Sequence, residues 1–163
     1  MKSTRLFYLF FVVLPAVMLA YAYYLQFVDG LTPCPLCIFQ RLAYLAIIVV
    51  ALFGVIHAPV NYFLRIYSGL IALSAMVGAV IAGRQVWLQH LPADKVPECG
   101  PGLDYMLDVF PLSDTLKMVF IGSGECAEVD WTFLSLSVAE WSLLCFLLFA
   151  IVALVHLVRA RLR

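Results

Sequence analysis

The sequence predicts an all-α membrane protein, a four-helix transmembrane bundle with a long outer loop that carries short interfacial helices. Three observations point there. Hydrophobic residues make up 65% of the 163 positions and charged residues 12%, against about 45–50% and about 25% in a soluble domain. Charge-free apolar runs occupy 6–28, 42–61, 66–83 and 141–158, each close to the roughly 20 residues that cross a hydrocarbon core. The charges, which sum to zero, are segregated along the chain. This composition excludes a soluble globular domain, a disordered chain and a basic nucleic-acid binder. The length fits one membrane domain, 1–163.

The first run follows Lys2 and Arg5 and contains Ala20-Tyr21-Ala22, which resembles a small-x-small signal cleavage site. A signal h-region spans only about 7–15 residues, so this longer run is predicted to remain as span one, 6–28. Pro15 is tolerated where neighbouring helices satisfy the freed carbonyl. Span two is expected at 42–61, with Pro59 near its exit, span three at 66–88 and span four at 139–158. Between the last two lies a loop of 89–138. There Leu103, Met106, Leu107 and Phe110 recur at helical spacing, with Asp104 and Asp108 on another face. Leu116, Val119 and Phe120 continue the pattern beyond Pro111. The expectation is a short helix lying on the membrane surface, and that reading is compatible with an apolar docking face.

If the spans alternate, Lys2, Arg5, Arg65, Arg159, Arg161 and Arg163 share one side with no acid, and all ten acids fall on or near the other. The positive-inside rule then puts both termini in the cytoplasm. Two segments face outward, about 27–37 and about 89–138.

Four of the five cysteines, Cys34, Cys37, Cys99 and Cys126, fall on the outer side. In a bacterial inner membrane that side is oxidising, and thiols there pair. Cys34-Pro35-Leu36-Cys37 has the CxxC spacing of redox-active dithiols. The motif ends where span two begins, so the helix N-terminus favours a thiolate at Cys37. Arg41 follows one turn later on the same face. An arginine at the lip of a membrane helix is costly without a partner. It can stabilise a Cys37 thiolate or hold a carbonyl oxygen of a bound cofactor. Zinc normally takes two closely spaced cysteine pairs, which Cys99 and Cys126 do not form, and haem attachment needs a histidine where Ile38 stands. No metal is expected. Spacing leaves Cys99 and Cys126 open between a structural staple, worth about 3 kcal/mol for a loop of that size, and a redox couple. Cys145, among Leu143, Leu144 and Phe146, reads as apolar filler.

Two outward disulfides beside a membrane suggest a relay. If its external thioredoxin-like partner is as oxidising as about −120 mV, a CxxC at about −270 mV faces roughly 7 kcal/mol uphill for two electrons. Dithiols alone do not drive that, and a lipid-soluble quinone is the oxidant a membrane can deliver to Cys37.

At this point the sequence resembles the bacterial disulfide-bond formation protein B (DsbB) family of quinone-linked membrane oxidoreductases. The resemblance rests on Cys34-Pro-Leu-Cys37-Ile-Phe-Gln-Arg41, on Gly83-Arg-Gln85 with His90, and on Gly124-Glu-Cys126-Ala-Glu-Val-Asp-Trp131 leading to Trp141. It covers nearly the whole chain. It implies an inner-membrane bundle that reoxidises a periplasmic thioredoxin-fold oxidase of DsbA type and passes electrons to ubiquinone or menaquinone. It further implies that the partner's thiolate attacks Cys99, that Cys126 is the other member of that pair, and that Cys34 exchanges with the pair. Cys37 would meet the quinone, with Arg41 beside the ring and His90 near it. A vitamin K epoxide reductase-like quinone reductase is the rival enzyme, but its CxxC lies late in the bundle. The rival outside enzymes is a membrane scaffold stapled by Cys99–Cys126.

Overall fold

The computed structural model describes residues 2–59, 61–97 and 103–162. Four helices long and apolar enough to cross a membrane dominate it: Lys2–Phe27 (α1), Pro35–His57 (α2), Asn61–Gln89 (α3) and Val138–Leu162 (α6). Two short helices, Leu103–Val109 (α4) and Leu112–Ile121 (α5), lie between α3 and α6. This is the all-α four-helix membrane architecture expected. α3 packs along α6, and α2 lies against both α1 and α3.

α2 and α3 begin earlier than their charge-free runs. Cys34 is extended (φ −67°, ψ 162°), and Pro35 opens α2 at a position where its missing N–H costs nothing. Arg41, which interrupts the apolar run, is satisfied within the fold, so the helix continues through it. α2 ends at Ala58, whose left-handed backbone (φ 42°) returns its N–H to the Gly54 carbonyl at 3.0 Å just before Pro59. At that end Phe7 of α1 stacks on His156 of α6 with ring centroids 3.7 Å apart, and His156 Nδ1 lies 3.0 Å from Ser68 Oγ of α3. The start of α1 and the end of α6 therefore share one end of the bundle, opposite the cysteines.

The core alternates large rings with small residues. Tyr8, Phe11, Tyr44, Phe146 and Phe149 pack against Ala51, Ala72, Ala75 and Ala153. Small residues let membrane helices approach closely, which matters where lipid supplies no hydrophobic drive for association. Gly78 shows the limit: a Cβ there would run into the Phe146 ring.

A second buried cluster closes the cysteine end. Met106 of α4 and Val119 of α5 pack with Cys34, Leu36, Ile81, Leu88 and Cys126. Only one edge of the expected apolar stripe turns inward, while Leu107, Phe110 and Phe120 remain exposed. The reason is packing: Thr115, wholly buried, donates to the Met106 carbonyl at 3.0 Å and sets α5 against α4. Arg84 of α3 donates to the Phe120 and Ile121 carbonyls at 2.9 and 2.8 Å, satisfying the open end of α5. Gly122 then turns the chain with φ 85°, and a Cβ there would strike Leu88.

Before α6 the strands Thr132–Phe133 (β1) and Leu136–Ser137 (β2) pair antiparallel, with Thr132 opposite Ser137. Leu134 and Ser135 make the tight turn with φ 53° and 66°. A capping box starts α6: the Glu140 N–H donates to Ser137 Oγ at 3.2 Å, and the Ser137 N–H to Glu140 Oε2 at 2.6 Å.

Candidate redox site at the cysteine end of the bundle

Cys34 caps α2. Its sulfur accepts the Cys37 N–H at 3.3 Å and lies 2.8 Å from Cys37 Sγ, so the two thiols are within reach of a bond. Proline after Cys34 holds the extended cap geometry, and the three-residue offset returns Cys37 to it.

Cys126 arrives from the long loop. The single 3-10 turn Gly124–Cys126 closes with the Cys126 N–H on the Ser123 carbonyl at 2.9 Å. That turn buries Cys126 completely and packs it in one cluster with Cys34, its sulfur 3.7 Å from Ser123 Oγ. Donation from Cys34 leads in holding Cys126 down at about 6; burial opposes it, and the Leu36 and Ser123 backbones reinforce it. The same contact pushes the Cys34 thiol up, with its hydrogen bond to Cys37 and its burial adding to the effect. Three sulfurs thus run in series, Cys126 to Cys34 to Cys37.

Two buried amides complete the dithiol's surroundings. Gln85 of α3 reaches both sulfurs, with Nε2 at 3.2 Å from Cys37 Sγ and 3.4 Å from Cys34 Sγ. Gln40 of α2 donates to Gln85 Oε1 at 2.6 Å.

Beside the dithiol opens a largely apolar cavity of about 490 Å³, lined by Cys34, Cys37, Arg41, Tyr44, Gln85 and Trp131 among others. The volume lies within the range of small-molecule sites. Arg41 stands in its wall, bonded to Gln26 Oε1, donating to the Ala22 carbonyl at 3.2 Å, and resting 4.8 Å over the Tyr23 ring. The Tyr44 hydroxyl is buried and has no hydrogen-bond partner among the described residues. A dithiol at the wall of such a cavity, with a third thiol behind it, can exchange disulfides on one side and deliver electrons on the other.

The family model described as "Disulfide bond formation protein DsbB" matches residues 4–156. The chain belongs to the DsbB family. A relative named Disulfide bond formation protein B from Nitrosococcus oceani is 52% identical over 85% of this chain and 82% of its own length. One from Methylococcus capsulatus is 55% identical over 81% and 80%. One from Aromatoleum aromaticum is 45% identical over 98% and 95%. The chain is thus a membrane oxidoreductase of disulfide bond formation.

In this DsbB-family enzyme the fold brings Cys34, Cys37 and Cys126 together, with Arg41 in the wall of the adjoining cavity. Cys99 lies outside the described residues. His90 does not line the cavity: its Nδ1 lies 2.8 Å from the Val86 carbonyl and its Nε2 3.8 Å from Glu140, with 67% of the side chain exposed. Cys145 packs half-buried against the helical core, away from the other sulfurs. Sequence reasoning did not single out Gln40, Gln85 or Ser123 as site residues. The available signal was a polar amide inside an apolar span, which needs a partner there.

Proposed function

We propose that this enzyme reoxidises a periplasmic thioredoxin-fold oxidase of DsbA type by disulfide exchange and passes the two electrons to a membrane quinone, ubiquinone or menaquinone. Its setting is the bacterial inner membrane, with both termini cytoplasmic and the active cysteines periplasmic. The observation that carries the reading is the series of sulfurs from Cys126 through Cys34 to Cys37, ending at the wall of a mainly apolar cavity.

The cavity fits a quinone headgroup in volume, in its apolar and aromatic walls, and in offering an arginine to a carbonyl oxygen. A bound quinone supplies an acceptor for two electrons and two protons. Arg41 and Tyr44 would hold it, and Trp131 would cover it. His90, turned outward against Glu140, gains no support for a place at the ring.

The protein's own sulfurs do the exchange. The partner's thiolate attacks Cys99 of a Cys99–Cys126 disulfide, forming a mixed disulfide and releasing Cys126 as thiolate. The partner's second thiolate resolves that bond, so the partner leaves oxidised and Cys99 is reduced. Cys126 then attacks Cys34 of the Cys34–Cys37 disulfide, and the electron pair of the broken bond stays on Cys37 at the cavity. In these steps Cys34 carries no hydrogen, and the Leu36 and Ser123 contacts are what favour a thiolate at Cys126 as leaving group and attacker.

The test is anaerobic, with purified enzyme, a reduced thioredoxin-fold periplasmic oxidase and ubiquinone followed by its ultraviolet absorbance. Stoichiometric quinone reduction requiring both enzyme and dithiol is expected. No reduction with ubiquinone or menaquinone would overturn the relay.

A further inference from the structure

We infer that Gln85 is a catalytic residue of the exchange: its side-chain amide, held in one orientation by Gln40, donates to the Cys37 sulfur as the Cys34–Cys37 bond opens. The inference rests on the exchange reading above and adds the group that receives the charge.

Gln85 and Gln40 are 5% and 4% exposed, on facing helices in the apolar interior. An amide buried there costs free energy unless its donors and acceptor are engaged. Gln40 Nε2 occupies Gln85 Oε1 at 2.6 Å, and this leaves the Gln85 amino group facing the dithiol. From that position Nε2 is nearly equidistant from the two sulfurs, at 3.2 Å from Cys37 and 3.4 Å from Cys34. One donor thus serves whichever sulfur carries charge. In the neutral state the Cys37 thiol can instead point at Gln85 Oε1, 3.6 Å away.

The step that needs this donor balances without any outside reagent. The Cys126 thiolate attacks Cys34 Sγ, the Cys126–Cys34 bond forms, the Cys34–Cys37 bond breaks, and its electron pair becomes the Cys37 thiolate. No proton moves. Exchange is faster when the leaving sulfur holds charge well. In the reduced site the Cys34 thiol, with one hydrogen to give, can place it on Cys37. Once Cys34 is bonded to Cys126 that hydrogen is gone. The Cys37 N–H points at Cys34 Sγ, and the Arg41 guanidinium is engaged by Gln26 and the Ala22 carbonyl. Among the described side chains, Gln85 is then the donor left on the Cys37 sulfur. Gln40, which touches neither sulfur, is a positioning residue.

The experiment uses the full-length enzyme carrying Cys34→Ala, which like the mixed disulfide offers Cys37 no hydrogen, with no quinone and no partner, and reads iodoacetamide labelling of the Cys37 peptide by mass spectrometry. The ratio of the labelling rate at neutral pH to that at pH about 10 separates thiolate content from access. Gln85→Met should lower this ratio about tenfold, since a hydrogen bond to a charged group is worth about 1.5 kcal/mol or more. Gln40→Met should lower it less, and the double variant should fall no further than Gln85→Met alone. A merely structural Gln40 would instead leave the ratio unchanged or add its own loss. An unchanged ratio in Gln85→Met overturns the inference. If that variant does not accumulate, Gln85→Asn, which draws the amide back by one methylene, must lower the ratio, and no change there overturns it equally. Because neither quinone nor partner is present, failure of the relay and failure of this inference are read separately.

Discussion

Cys126 of the long loop and Cys34, the cap of α2, lie in one buried cluster and shift each other's protonation in opposite directions. Two segments far apart in the chain meet at these two sulfurs. The loop therefore does more than cover the bundle, and the consequences of that contact can be measured.

The first concerns pH. Donation from Cys34, ahead of the Leu36 and Ser123 backbone contacts, holds folded Cys126 at about 6 despite its burial, whereas an unfolded thiol titrates near about 8.5. Between these values the unfolded chain binds a proton that the folded chain does not, so stability rises with pH across the window. It is lost as pH falls through about 6. Cys34, held protonated beyond its ordinary value, opposes this only above that value. Thermal unfolding of the reduced enzyme in detergent should give a midpoint that climbs from pH 6 to pH 8.5, and Cys126→Ser should flatten the climb. A wild-type midpoint independent of pH in that window would contradict the assignment.

The second separates the two halves of the proposed relay. Cys37→Ser should abolish turnover altogether, and Cys34→Ser likewise. Cys126→Ser should block oxidation of the protein partner while quinone binding, followed by fluorescence quenching of the cavity's Trp131 and Trp141, persists. Residual turnover in Cys37→Ser would remove that sulfur from the electron path.

The third asks what Arg41 does. Its contacts to Gln26 and the Ala22 carbonyl tie α2 to α1, and it also lines the cavity. Arg41→Ala should raise the apparent KM for ubiquinone about tenfold, the worth of one charge-assisted hydrogen bond. Gln26→Leu, which loosens the tie but leaves the charge, should raise it far less. Equal effects would make Arg41 a helix brace rather than a ligand contact.

These residues differ in how plainly the sequence announces them. Cys34, Cys37 and Arg41 are local: spacing along one helix start fixes their relation, so they are legible without a fold. The four helices are legible too, because lipid demands long apolar runs. The starts of α2 and α3 were less so, since Arg41 is satisfied by α1 and a sequence window counts it only as charge. Cys126 and Cys34 meet through Arg84 anchoring α5, Gly122 turning the chain and a single 3-10 turn, a tertiary arrangement with no periodic signature. The Gln40–Gln85 contact joins two helices; each amide inside an apolar span signals a need for a partner, but not which one. Ser137 and Glu140 have the spacing of a capping box, a local signal that sequence reasoning passed over.

A packing prediction follows from the core. α3 meets α6 where Gly78 faces the Phe146 ring, and a Cβ at that position has no room. Phe146 is itself wholly buried and stacked on Tyr44 at 4.2 Å, so it cannot swing away. Gly78→Ala should destabilise the bundle by about 1–3 kcal/mol, as overpacking does, read as a lower unfolding midpoint in detergent. Gly69→Ala, on the same helix with open space around it, is the control and should leave the midpoint unchanged or raise it.

Tyr44 carries the last prediction, because its ring and its hydroxyl serve different ends. The ring is packed between Phe146 and Phe149. The hydroxyl is buried and closes no hydrogen bond among the described residues. A buried hydroxyl left unpaired costs about 1–3 kcal/mol, so Tyr44→Phe should raise the unfolding midpoint of the quinone-free enzyme. With ubiquinone bound, a hydroxyl donating to a carbonyl oxygen would recover that cost, and the gain from Tyr44→Phe should shrink or reverse. The midpoint difference between the two proteins, measured with and without added ubiquinone, reads this directly. A difference that does not change on adding ubiquinone would leave the Tyr44 hydroxyl outside the ligand's contacts and confine the residue to packing.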